Sequence, residues 1–154
     1  MMLRLFLWLA FVGGAFILVG CSEDDCIGSD QDIDEYIISN SADLQNLIET
    51  EQGVYYIIDE PGDTTSRPTL SSAITVNYVG TTTERDTFDQ TSGTPVTFIL
   101  DELIEGWRIG IPQIGAGGSI RLFVPANRGY GANQAANLCA NSALIFDIDL
   151  ISFQ

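Results

Sequence analysis

The chain has 154 residues, 45% of them hydrophobic, which is material for one compact core and hardly for two. Its formal net charge is −15 and it contains no histidine, which excludes Ser/His/Asp triads, Cys/His dyads and most zinc sites. So acidic a surface repels phosphate backbones, and neither a nucleic-acid partner nor a metal is expected.

Met1–Arg4 forms a short basic start, and Leu5–Val19 is an apolar run that ends at Gly20-Cys21. Residues 1–20 read as a signal peptide. The alternative, a permanent transmembrane anchor, needs roughly 20 apolar residues, and this run has 15. Leu18-Val19-Gly20-Cys21 resembles the bacterial lipobox, in which cleavage leaves Cys21 as the acylated first residue. Each buried CH₂ contributes about 0.8 kcal/mol, so several acyl chains would hold the protein on a membrane. The expected location is the cell envelope, lipid-anchored, at the outer membrane on its periplasmic or outer face.

Residues 21–30 read as an acidic, disordered tether. Ser22-Glu23-Asp24-Asp25 also resembles the acidic surface-export signal of Bacteroidetes lipoproteins. With Cys21 acylated, Cys26 and Cys139 remain as an even pair. An oxidising compartment allows a disulfide between them, and two free thiols are the alternative.

In residues 31–52, Ile33, Tyr36 and Ile37, then Leu44, Leu47 and Ile48, recur at three- and four-residue spacing. This predicts a helical extension of one or two short amphipathic helices, broken near Ser39-Asn40-Ser41. From Gly53 onward the texture changes to β-branched and aromatic runs punctuated by Gly, Pro, Asp and Thr. The predicted strands are Val54–Ile58, Ala73–Val79, Val96–Leu100, Ser119–Val124 and Leu144–Phe153. One short helix is expected near Ile104–Ile114, limited by Gly106, Gly110 and Pro112. Together these make an α+β domain over residues 53–154.

The β-rich part carries, in order, Val76-Asn77-Tyr78-Val79-Gly80, Thr87-Phe88-Asp89, Pro95-Val96-Thr97-Phe98 and Leu103-Ile104-Glu105-Gly106-Trp107. Leu122-Phe123-Val124-Pro125, Gly129-Tyr130-Gly131 and Leu144–Leu150 follow. Singly these pieces are unspecific, but in this order and spacing they resemble the FKBP family of peptidyl-prolyl cis–trans isomerases from about Gly53 to Phe153.

That resemblance implies an FKBP-like bent antiparallel sheet wrapped around one short helix, with a shallow apolar pocket for a substrate proline. Trp107 would form the floor, with Tyr78, Phe88 and Phe146 as walls. Leu103 and Ile104 would form a rim whose Ile104 N–H binds substrate, Tyr130 would offer its hydroxyl, and Asp89 would organise the polar edge. The family also implies proline-containing polypeptide clients, a monomer and no cofactor. The chemistry explains the lack of ionisable catalysts. Rotation about X–Pro faces a barrier of about 20 kcal/mol because amide resonance is lost in the twisted state. A dry aromatic pocket favours that less polar form, so catalysis is differential binding without nucleophile or metal.

The family pattern is not matched everywhere. Val96 stands where many members have an aromatic residue, and the Asp101-Glu102 connection is short. Asn137–Ser142 occupies the place of an apolar-Pro-Pro run, leaving Leu138 as its apolar substrate contact. A Cys26–Cys139 bridge would supply the constraint that those prolines give elsewhere.

Other readings are structural. Phe98 reads as core, Asp147 and Asp149 as solvated positions on one strand face, and Gly115–Gly118 as a turn. Two further functions stay open: a peptide-binding chaperone with weak or no isomerase activity, and a surface protein that binds partners through its acidic tether.

Overall fold

The computed structural model describes residues 26–28, 32–133, 135 and 137–154. The expected signal peptide, the lipobox with Cys21 and the start of the tether lie outside the described residues. No helix among the described residues is long and apolar enough to cross a membrane.

Helix α1 spans Ile33–Ser39 and starts at Asp32, whose carboxylate accepts the Asp34 N–H at 3.3 Å. Asp34 and Glu35 lie in its first turn, where acidic side chains favour the positive end of the helix dipole. The second helix allowed by the spacing does not form. After α1 the chain runs through turns, with Asn46 at φ 61°, into the two-residue strand β1, Ile48–Glu49. Leu44 and Leu47 still pack inward, so their spacing reports burial without a helix.

The remaining strands are β2 (Tyr55–Glu60), β3 (Ala73–Thr82), β4 (Thr87–Gln90), β5 (Val96–Ile99), β6 (Gly118–Val124) and β7 (Leu144–Phe153). All pairings are antiparallel, in the order β1-β2-β6-β7-β3-β4, and β5 also pairs with β3. The four-residue β4 is the strand that the hydrophobic pattern alone did not predict, because Phe88 is its one apolar residue.

Alternation along β7 assigns the two faces of the sheet. Leu144, Phe146, Ile148 and Leu150 join the main core with Ile120, Leu122 and Val124 of β6. Ile145 points the other way and joins Phe123 and Ile33 beneath α1. Beyond the reach of α1 the outer positions face water. There Arg121 donates to Asp147 at 2.5 Å across the β6–β7 register, so Asp147 is half of an ion pair rather than of a carboxylate pair. Such an exposed pair contributes roughly 0–1 kcal/mol.

Helix α2, Glu105–Gly110, lies across the inner face and continues into a 3₁₀ turn at Ile111–Gln113, where Pro112 cannot prolong an α-helix. The helix approaches β6 closely because its contact positions are glycines. A Cβ on Gly106 would lie 2.5 Å from the Val124 Cγ1, and one on Gly110 would lie 2.3 Å from the Leu122 Cδ2.

Contrary to the expected disordered tether, Cys26–Gly28 is docked on the domain. Cys26 and Cys139 form a disulfide, and Ile27 makes an isolated parallel bridge with Leu138. The disulfide joins residues 113 apart, and in the chain-entropy account closing so long a loop destabilises the unfolded state by about 4–5 kcal/mol.

The tight α2–β6 contact yields a stability prediction. Gly106→Ala gains about 1 kcal/mol of helix propensity but drives a methyl into β-branched Val124. It should lower stability by about 1–3 kcal/mol, seen as a lower urea midpoint at unchanged m. An unchanged or raised midpoint would contradict the packing described.

Candidate active site

Where α2 leaves the inner face of the sheet uncovered, a cavity of about 160 Å³ opens between the helix, β3, β5 and β7. Trp107 forms its floor and is 4% exposed. Three rings meet the indole edge-on: Tyr78 at 5.1 Å and 84°, Phe146 at 5.3 Å and 89°, and Phe98 at 6.3 Å and 84°. These are the T-shaped arrangements that aromatic quadrupoles favour. The resulting cup is walled by aromatic rings. The indole Nε1 is buried without a hydrogen-bond partner among the described residues.

Polar groups gather on the rim. The Tyr78 hydroxyl donates to the Asp89 carboxylate at 2.6 Å. Burial, then that hydrogen bond and the Asp89 charge, push the Tyr78 phenol well above its usual range. Burial first, and the Asp89 charge second, also raise Tyr130. Both phenols therefore remain donors throughout the neutral and mildly alkaline range. Leu103 and Ile104 complete the cavity wall. Ile104 is the N-cap of α2, and its N–H donates to no backbone carbonyl among the described residues, as expected at the first positions of a helix.

Tyr130 is positioned from both sides. On one side the 3₁₀ turn Ala126–Arg128 leads into it, and Arg128 reaches Glu105 of α2 at 2.5 Å and the Gln52 carbonyl at 3.2 Å. On the other, Gly131 takes φ 59°, a conformation that glycine adopts without strain, and accepts the Asn141 N–H at 2.7 Å.

Seven of the residues expected at the site thus come together: Tyr78, Asp89, Leu103, Ile104, Trp107, Tyr130 and Phe146. Three do not line the cavity. Phe88 packs edge-on behind Phe146 at 5.6 Å, in space that Gly80 leaves free. Val96, opposite Val76 in the β3–β5 register, packs against the core. Leu138, 2% exposed, is pressed into the core beneath its loop by the pairing with Ile27. Phe98, expected in the core, is half-buried and lines the cup. Its period-2 relation to Val96 carried that information, because both residues face the same side of β5. The Arg128–Glu105 pair had no sequence signal, since its partners lie 23 positions apart on unrelated elements.

A larger hollow of about 500 Å³ lies between α1, β1 and the Pro125–Asn127 turn, lined by Asp32, Asp34, Glu49 and Tyr55. It is open and carries three carboxylates among its apolar residues, and no aromatic rings pack against one another in it among the described residues. The aromatic cup is the better candidate.

An antiparallel sheet curled over one short helix, with a tryptophan-floored cup, defines the class, and the chain belongs to it: a sequence model of the family FKBP-type peptidyl-prolyl cis-trans isomerase matches residues 64–151. Among curated relatives, the FKBP-type peptidyl-prolyl cis-trans isomerase FkpA of Buchnera aphidicola subsp. Schizaphis graminum is 37% identical over 115 residues, 73% of this chain and 46% of that protein. FkpA of Aeromonas hydrophila is 30% identical over 135 residues, 86% of this chain and 50% of that protein. The chain spans about half the length of these relatives. The crystal structure of FkpA from Escherichia coli superposes with a TM-score of 0.69 at 29% identity, covering 79% of this chain and 62% of that one. A peptidyl-prolyl cis-trans isomerase from Pseudomonas syringae pv. tomato gives 0.70 at 28% identity, covering 79% and 90%.

Proposed function

We propose that the chain is an active peptidyl-prolyl cis–trans isomerase that accelerates X–Pro rotation in exported polypeptides. The observation that carries this reading is the T-shaped packing of Tyr78, Phe98 and Phe146 around the Trp107 floor, in a chain of the FKBP family.

A proline ring enters the cup and leaves its preceding amide at the rim. There the Ile104 N–H and the Tyr130 hydroxyl bind substrate carbonyls, and the Asp89–Tyr78 hydrogen bond keeps the Tyr78 ring turned into the cup. Twisting the amide removes resonance and lowers the polarity of its carbonyl. The dry aromatic surface therefore stabilises the twisted form more than the planar one, and that difference lowers the barrier. Phe88 acts from behind by fixing Phe146; Val96 and Leu138 support the walls without touching the proline.

The site of action we assign is the cell envelope, on a lipid anchor at Cys21. Support comes from the lipobox-like Leu18–Cys21 and from the Cys26–Cys139 disulfide, a bond that persists in oxidising compartments. In a bacterial host, Cys21→Ala should abolish incorporation of labelled fatty acid and release the protein from membranes; undiminished labelling would refute the anchor.

In a peptide isomerisation assay the wild type should accelerate cis–trans exchange, and Trp107→Ala should lower kcat/KM at least about tenfold, equivalent to about 1.4 kcal/mol of transition-state binding. Activity should stay level from neutral pH to about 10, the ordinary tyrosine pKa, because raised phenols keep their protons until the pH passes their shifted values. No acceleration by the wild type, or full activity in Trp107→Ala, would defeat the reading and favour a non-catalytic binding module.

A further inference from the structure

The N-terminal strap crosses the loop that follows Tyr130, and its contacts with that loop are more than a disulfide. The Ile27 N–H donates to the Asn137 carbonyl at 2.7 Å, and the Cys139 N–H donates back to the Ile27 carbonyl at 2.9 Å. Leu138, between those bonds, is driven into the main core. Gly28 then passes so close that a Cβ would lie 2.7 Å from the Ser142 Oγ. The loop is therefore clamped in its second half and closed onto Gly131 by the Asn141 N–H.

Tyr130 is the residue immediately before that closure. Its upstream side is held to α2 through Arg128 and Glu105, and the Gly131 N–H donates back to the Ala126 carbonyl at 2.9 Å; the Gly131 carbonyl, on the downstream side, accepts the Asn141 N–H of the clamped loop at 2.7 Å. From this arrangement we infer that the Cys26–Cys139 disulfide and the Ile27 pairing are positioning elements for the isomerase site. They fix the loop that aims the Tyr130 hydroxyl, and so set how tightly substrate is held. Both cysteines are half-buried, and reduction of the bridge is read directly in the test. This inference rests on the isomerase reading.

The test uses the full chain with an added dithiol as probe. The dithiol reduces Cys26 and Cys139 to two thiols and is itself oxidised to a cyclic disulfide, so two electrons and two protons are accounted for. Peptide kinetics are compared for oxidised and reduced protein, in the wild type and in Tyr130→Phe, with near-ultraviolet circular dichroism monitoring the fold. Reduction should raise KM by about two- to tenfold in the wild type, the scale of coupling between neighbouring groups, with little change in kcat and the fold retained. In Tyr130→Phe, where no hydroxyl remains to be aimed, the same reduction should leave KM unchanged. Ile27→Pro, which deletes the N–H donated to Asn137 while keeping the disulfide, should reproduce the wild-type rise. An equal effect of reduction in both backgrounds, or none in either, would overturn the inference. So would global unfolding on reduction, because the bridge would then hold the whole domain and not the loop. An oxidised wild type without activity would instead sink the isomerase reading itself.

Discussion

The close approach of α2 to β6 governs the rest of the molecule. Gly106 and Gly110 place the helix backbone against Val124 and Leu122, with no room for even a methyl group between. That depth sets the height of Trp107, which lies between the two glycines on the same helix. At that height the indole meets Phe146 of β7 and Tyr78 of β3 edge-on, and the space above it becomes a cup and not a solid core. A helix held further out would leave the tryptophan above the sheet and open its floor to water. The sheet contributes the complementary condition: Gly80 on β3 leaves the volume into which Phe88 and Phe146 fold.

A division of labour follows between the two faces of the sheet. On the inner face, ten-residue β7 supplies alternate residues to the core and one of them, Phe146, to the cup. On the outer face, Ile145 and Phe123 pack with Ile33 of α1, and Arg121 and Asp147 pair beyond it. The N-terminal segment thus seals the outer layer with α1, while its first described residues reach the loop beside Tyr130. One stretch of chain before the family's core serves both stability and the edge of the site.

Much of this was legible in sequence. The strand pattern located five of the seven strands, and motif order brought Tyr78, Asp89, Trp107, Tyr130 and Phe146 to one place. What escaped has physical reasons. Strand β4 carries a single apolar side chain, and β1 is two residues long, so neither leaves a periodic trace. Leu44 and Leu47 kept helical spacing but serve turns that fold onto Phe123, because burial and helicity give the same pattern over so short a span. Phe88 and Phe98 exchanged places relative to expectation: adjacency to a motif says that a ring is near the pocket, while only strand register says which ring faces it. The docking of Ile27 against Leu138 is a contact over 111 positions, invisible to local patterning even though the cysteine pair beside it hinted at it.

The central claim is that the proline ring sits on Trp107. The most direct measurement is of intermolecular nuclear Overhauser contacts between a proline-containing peptide and the oxidised protein. A proline ring bound in the cup should show contacts from its ring protons to the Trp107 indole and to the Phe146 and Tyr78 rings. Contacts confined to Tyr55, Ile33 and the acidic hollow beside α1, with none to Trp107, would contradict it.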